Sequence, residues 1–347
     1  MRVDWDLVWK GLAWIPVGLT VLLVAWSYYG FVGTAIWQLK GWDFALVSVP
    51  YHIVLLLWAA SYFRVIATLP GYPHGARKLS TSATNTMVDT SDIEQQQGLL
   101  NESSIELEAP ILQEPTFVSL ETKRDGKPRY CKKCQAWKPD RAHHCSQCGI
   151  CVLRMGWKNH KFFFLFLFYT VIYCAGICIY LVQHLIRAFK ARHVSEIIIQ
   201  LNLHWLFLIF VSGAFGVVLL TFLGMHVVYV LTNKTTIESM ERARRIRLDG
   251  YSVSTTPAMD TEMASTRAAA SSIISTTTPT STATTAWSQY GVNIFDVGAK
   301  ENWKAVMGRD WRVWFLPIDS SEGDGHTFPI NYDAMEKLRR MSAATSV

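Results

Sequence analysis

Apolar residues in this chain gather into four long runs, at residues 12–33, 44–68, 162–185 and 205–232. None shows the polar face expected of a helix lying on a soluble core. Each reaches the about 20 residues that a helix needs to cross about 30 Å of hydrocarbon. The pattern predicts four membrane-spanning helices. The first run is longer than the core of a secretory signal and lacks a small-x-small cleavage site before a soluble domain, so it is read as a retained anchor. Leu69-Pro70-Gly71-Tyr72-Pro73 ends the second helix, because proline cannot continue it and glycine permits the turn.

Between the runs the pattern changes character. Residues 74–121 are rich in Ser, Thr, Glu and Gln with no sustained period and read as a flexible linker, as does a Ser/Thr/Ala stretch at 252–286. The predicted organisation is helices one and two in 1–73, the linker at 74–121, and a cysteine-rich domain at 122–161. Helices three and four follow in 162–232, and a C-terminal region at 233–347 carries a compact piece at 290–308. No internal repeat is present. Composition fits a polytopic membrane protein: half the residues are hydrophobic, 14 are Trp, and the mean hydropathy is positive.

Charge sets the expected orientation. Arg64, Arg77 and Lys78 follow the second run, Arg154, Lys158 and Lys161 precede the third, and Lys234, Arg242, Arg244, Arg245 and Arg247 follow the fourth. Lys and Arg near helix ends favour the cytosolic side, so both termini and the cysteine-rich loop are expected there. Arg187, Lys190 and Arg192, between runs three and four, point the other way. On this topology the sequons at Asn101 and Asn233 do not meet the lumenal glycosylation machinery. The net charge of +6 is spread along segments that flank membrane, which suits an anionic lipid surface as partner and no nucleic acid. His52, His226 and Cys174 fall inside the apolar runs and are read as packed or hydrogen-bonded between helices.

The candidate chemistry lies in RYCKKCQAWKPDRAHHCSQCGICVLRMGWKNHKFFF, which starts at Arg129. Cysteines on the cytosolic side stay reduced, so paired C-x-x-C spacing signals metal rather than disulfides. Cys131 and Cys134 form one knuckle; Cys145, Cys148 and Cys151 form an overlapping series behind His143 and His144. Zinc takes four such ligands in a tetrahedron. Spacing leaves two pairings open. One uses Cys131, Cys134, Cys145 and Cys148. The other uses Cys131, Cys134, His144 and Cys151, with Cys145 and Cys148 as half of a second site.

The pattern C-x2-C-x3-K-P-x-R-x-H-H-C-x2-C-x2-C, followed by Asn159-His160-Lys161-Phe162-Phe163-Phe164, resembles the cysteine-rich domain of the DHHC protein S-acyltransferases, or palmitoyltransferases. Thr235-Thr236-Ile237-Glu238 after the fourth run, and Asn293-Ile294-Phe295-Asp296 through Asn302-Trp303 to Gly308, resemble further motifs of that family. Lys138-Pro139-Asp140-Arg141 and Asn302-Trp303-Lys304 are similar to its fungal vacuolar type. The resemblance implies an α-helical polytopic membrane protein of four transmembrane helices. A small zinc-binding cysteine-rich domain then occupies the cytosolic loop between helices 2 and 3. It favours the pairing of Cys131, Cys134, His144 and Cys151, with Cys145 and Cys148 beginning the second site. Thr236 and Asn302 match positions that help pack the C-terminal segment. It implies zinc, an acyl-CoA such as palmitoyl-CoA, membrane lipids, and cytosolic or membrane-associated protein substrates. The compartment it implies is an endomembrane, vacuole or Golgi and endoplasmic reticulum.

One part of the family pattern is missing. Members continue after the Arg-Met pair with Asp-His-His-Cys, Pro-Trp and a further Cys; here Met155 is followed directly by Gly156. In the family the tetrad cysteine takes the acyl group from acyl-CoA as a thioester and passes it to a protein cysteine. The neighbouring Asp-His pair keeps that thiol ionised. Without the segment the resemblance leaves no catalytic residue, and Cys145 and Cys148 supply only two ligands of four. Cys151 is expected on zinc, and Cys174 and Cys178 lie inside the third run, where apolar burial disfavours a thiolate. From Met155 to Lys161 the chain reaches about 20 Å at most, so the cysteine-rich unit is expected to sit tight against the third helix or partly unfold. Leu69 stands where the family usually has Asp, a tolerated turn variant. The expectation is a palmitoyltransferase by descent that is inactive in this form, or a non-catalytic scaffold for substrates, acyl-CoA or sister enzymes.

Overall fold

A computed structural model describes residues 12, 14–73, 119–123, 127–154, 156–191, 202–240, 245–247, 284–286 and 291–345. Most of the predicted linkers, 74–118 and nearly all of 252–286, lie outside the described residues. The chain forms two compact units. One comprises Met1–Pro70, Trp157–Asn233 and Gly298–Glu322; the other comprises Gly71–Gly156, Lys234–Val297 and Gly323–Val347.

The first unit holds four membrane-spanning helices, at Ile15–Gln38, Gly41–Ala67, His160–Lys190 and Leu203–Leu231. Helix α1 (Ile15–Tyr28) starts at a proline and passes into a π-helical turn at Tyr29–Gly33 and a 3-10 turn at Ile36–Gln38. The turn brings the backbone against a neighbour: a Cβ on Gly30 would lie 2.8 Å from Leu208, so only glycine fits there without a shift. Helix α2 is Gly41–Ala67, α3 is His160–Ala191 and α4 is Leu203–Leu231. Helix α3 outruns its predicted apolar stretch at both ends, because hydropathy marks hydrocarbon whereas hydrogen bonding sets where a helix stops. Between the helices pack Phe31, Tyr51, Tyr173, Ile177, Trp205 and Leu208, and, nearer the other end, Trp58, Leu165 and Tyr169. Buried polar groups find partners across helices, as the apolar surroundings require. Trp58 Nε1 donates to Thr170 Oγ1 at 3.0 Å and Trp205 Nε1 to Thr34 Oγ1 at 2.7 Å. A short helix, α6 (Ala299–Met307), docks Val306 and Met307 on Phe164, Leu167, Leu223 and Val230.

The second unit is built from short strands. β1 (Glu121–Thr122), β6 (Arg245–Arg247) and β7 (Thr284–Ala286) form an antiparallel sheet in the order β1-β6-β7. β2 (Tyr130–Cys131) pairs with β3 (Ala136–Trp137), and β4 (His143–Cys145) with β5 (Ile150–Val152). These two hairpins are the cysteine knuckles. Helix α5 (Thr236–Met240) and the terminal α7 (Tyr332–Thr345) complete the unit. Met335 and Leu338 of α7 are buried with Leu120, Val292, Ile294 and Phe295, which form its largest apolar cluster.

Candidate functional site

The tip of the first hairpin meets the paired strands of the second. Register places His144 opposite Cys151 in one and Cys131 opposite Ala136 in the other. Cys134 lies in the turn between β2 and β3, where Gln135 takes a positive φ of 47° to reverse the chain. The result is a group of four: the sulfurs of Cys131, Cys134 and Cys151 and a ring nitrogen of His144 lie within 4.8 Å of one another. His144 Nδ1 is 3.6 Å from Cys131 Sγ and 3.2 Å from Cys134 Sγ. Ligand separations in a tetrahedral zinc site are about 3.5–3.8 Å, so three thiolates and one imidazole fit such an ion here. Of the two pairings that spacing allowed, the geometry assembles this one.

Electrostatics within the group reflects crowded sulfurs. Burial opposes the Cys131 thiolate. The N–H of Cys134, the thiols of Cys151 and Cys134 and the N–H of Lys133 outweigh it and hold the pKa below the ordinary thiol value. Cys151 is driven well above that value by burial, then by its hydrogen bonds to Cys131 and Cys134 and their charge. Burial, then Lys133 and Lys138, push His144 below the ordinary histidine value of 6.5. A divalent cation would relieve this competition by replacing the protons the sulfurs share.

Cys145 and Cys148 stand outside the group as a pair of their own. The Cys148 N–H donates to Cys145 Sγ at 3.3 Å. Burial opposes ionisation of Cys145, but the N–H and thiol of Cys148 and the N–H of Gln147 leave its pKa lowered. Among the described residues no further His, Cys, Asp or Glu joins them in a ligand cluster. Cys174 lines a cavity between helices, and Cys178 Sγ points at the Ile209 carbonyl, 3.9 Å away.

The same unit contains a buried ionic core whose residues appear in the sequence only as motif positions. Arg141 is fully buried, with a positive φ of 63°. Its Nε and Nη2 meet both oxygens of Glu238 at 2.7 and 2.9 Å, and its guanidinium stacks on Phe295 and Phe328 at 4.8 and 5.0 Å from their centroids. Its N–H donates to Glu121 Oε2 at 2.8 Å, and Glu121 is also paired with Arg129. The Asp140 carboxylate accepts from Ser119 Oγ and from the N–H groups of Leu120 and Glu121. Glu238 also accepts from the Thr235 N–H at 2.9 Å while its own N–H donates to Thr235 Oγ1 at 3.1 Å. That is a reciprocal capping box. The Thr-x-x-Glu spacing could have revealed it; Thr236 is the first residue of α5, and the cap is made by Thr235 and Glu238.

In the helical unit, fully buried Asn302 donates Nδ2 to the Leu231 carbonyl at 2.7 Å. It thereby satisfies one of the carbonyls that the end of α4 leaves without an intrahelical partner. His226 is buried among Phe163, Phe222, Tyr229 and His160, and His52 bonds to Tyr28 and Ser48. A cavity of about 270 Å³ opens between the helices, lined by Trp26, Trp58, Phe166, Ile177, Leu208 and Phe215 among others. At its wall Ser27 Oγ bonds Tyr173 OH, which Tyr51 OH also bonds, each at 2.8 Å, and the hydroxyls of Thr20, Thr170 and Ser212 donate to carbonyls of their own helices, so the surface offered is apolar.

The DHHC palmitoyltransferase family model matches residues 124–243. Palmitoyltransferase ZDHHC20-A of Danio rerio is 31% identical over 333 residues, which is 92% of this chain and 78% of that protein. Palmitoyltransferase ZDHHC15A of Danio rerio is 30% identical over 333 residues, 92% of this chain and 85% of that one. Palmitoyltransferase ZDHHC20 of Homo sapiens is 29% identical over 350 residues, covering 96% and 80%.

Proposed function

The chain belongs to the DHHC palmitoyltransferase family, and we propose on that premise that it binds long acyl chains but, as written, forms no acyl-enzyme. Acyl transfer of this kind needs a thiolate that attacks the acyl-CoA carbonyl, expels the CoA thiolate and is later attacked by a substrate cysteine. The reading rests on one observation: Met155 runs directly into Gly156, so the segment that carries the family's Asp-His-His-Cys is absent. None of the seven cysteines takes its place. Three share the four-ligand group with His144, two pair with each other, and two lie within the third span.

The remaining parts support acyl-chain binding. Each methylene moved from water into the cavity between the helices contributes about 0.8 kcal/mol, and the lining offers few polar groups that would oppose it. Cys131, Cys134, His144 and Cys151 would hold a zinc ion, whose part is to tie the two knuckles into one rigid unit. Cys145 and Cys148 contribute no complete second site in this form. Both termini and the cysteine-rich loop lie on the cytosolic side of an endomembrane, and membrane-associated proteins are the substrate class of the intact enzyme.

Restoring the segment between Met155 and Gly156 tests the reading. The restored chain should gain a hydroxylamine-sensitive label from radiolabelled palmitoyl-CoA that the chain as written lacks. A restored chain that folds and holds zinc yet gains no label would argue that other parts of the catalytic machinery are lost too. In that event the scaffold reading, binding acyl-CoA or sister enzymes without chemistry, is favoured.

A further inference from the structure

Residues 309–322 follow α6 and carry apolar side chains that the described residues leave partly or largely exposed. Trp311 is 68% exposed and Phe315 51%, and Leu316 and Ile318 are exposed beside them. The segment is nonetheless closed and tied down. Its neck is formed where Gly308 meets Ser320: a Cβ on Gly308 would lie 2.7 Å from the Ser320 carbonyl, and its φ of 92° also requires glycine. Ser320 Oγ donates to the Met307 carbonyl, and Trp314 Nε1 to the Gly308 carbonyl, at 2.7 and 2.8 Å. Lys161, buried at the start of α3, donates Nζ to the Val313 carbonyl at 2.8 Å and to Ser320 Oγ at 2.6 Å.

The far end of this loop reaches further along α3. Tyr169 OH donates to the Phe315 carbonyl, and the Phe168 and Phe315 rings lie 5.4 Å apart. Tyr169 stands about two turns beyond Lys161. Helical side chains lean back towards the N-terminus, which returns its hydroxyl by about one turn. The Phe315 backbone is therefore at the edge of the hydrocarbon, and its ring beside Phe168 is deeper. Backbone at that depth has to satisfy its own polar groups. The N–H groups of Val313, Trp314, Leu316 and Ile318 bond to carbonyls within the loop, and the Phe315 carbonyl takes the Tyr169 hydroxyl.

We propose that 311–318 is a shallow re-entrant loop whose exposed Trp311, Phe315, Leu316 and Ile318 are covered by lipid, making it a further membrane-embedded element beside the third span. Its apolar surface is continuous with that of a helix that already crosses the bilayer, which is why lipid rather than a protein is the occupant. Tryptophans at 311 and 314 and the flanking Arg309 and Arg312 suit the interface between hydrocarbon and headgroups. Lys161 then acts as the tie that holds the loop at this depth.

The test places the photoreactive residue p-benzoylphenylalanine at position 315 or 316 of the full chain in phosphatidylcholine nanodiscs. Position 210, on the lipid-exposed side of α4, and position 300, on the exposed face of α6, serve as references. Mass analysis after irradiation should find phospholipid adducts at 315 and 316 close to the yield at 210 and several-fold above 300. Lipid adducts no more frequent than at 300, or adducts chiefly to a second copy of the chain, would overturn the proposal.

Discussion

At the residue scale the chemistry divides between what sequence displays and what it hides. Cys131, Cys134, His144 and Cys151 were legible as candidate ligands because metal-binding Cys and His come in short fixed spacings. Spacing left two pairings open and the family resemblance favoured one; the hairpin registers bring that set, with His144 rather than Cys145, to the first knuckle. We expect one tightly held zinc per chain, measured by elemental analysis after gel filtration, and two would contradict the account. Zinc retention should also depend on pH. Burial and the nearby lysines hold His144 below its ordinary value, favouring the neutral ring; its contribution is complete above 6.5 and lost as pH falls through the lowered pKa, as protons displace metal. Arg141 was hidden, because neither its burial nor its positive φ leaves a mark in composition. Arg141→Ala would leave Glu238 buried without its partner, which costs about 3–5 kcal/mol. A marked fall in the melting temperature of the detergent-solubilised chain should follow, with Arg141→Lys intermediate because it keeps the charge but loses the two-pronged geometry.

At the scale of elements, four spans were readable because a run apolar on every side has few other uses, whereas their ends were not. Helix α3 continues through Arg187 and Lys190, whose long stems allow a helix to outlast its apolar core. Helix α6 and the loop after it were seen in sequence only as a compact motif. Beside the packing of Val306 and Met307, their association with the spans draws on single polar side chains, Asn302 and Lys161, that no periodicity announces. Asn302→Ala should expose the unmet demand of the Leu231 carbonyl and lower stability by about 1–3 kcal/mol. Denaturant titration of the purified chain measures this, and a change within error would show that water replaces the lost donor. Residues 119–121 close the stretch whose composition reads as linker; here Ser119, Leu120 and Glu121 donate to Asp140, and Glu121 begins β1.

At the scale of the whole molecule the two units are not consecutive in sequence: each gathers pieces from both sides of the other, so composition along the chain could outline linkers but not units. The proposed orientation rests on Lys and Arg near the span ends. Asn101 should therefore carry no glycan when the chain is expressed in a eukaryotic host, and a mobility shift removed by endoglycosidase would reverse the topology. The decisive question concerns sulfur. On the proposed reading, this member of the palmitoyltransferase family has an apolar cavity and a four-ligand Cys/His group but no thiolate to carry the acyl group. The direct measurement is the intact mass of the purified, zinc-loaded chain after incubation with palmitoyl-CoA in detergent or nanodiscs. The account predicts an unchanged mass and no CoA release above the rate in its absence; a hydroxylamine-sensitive gain of one palmitoyl group would contradict it.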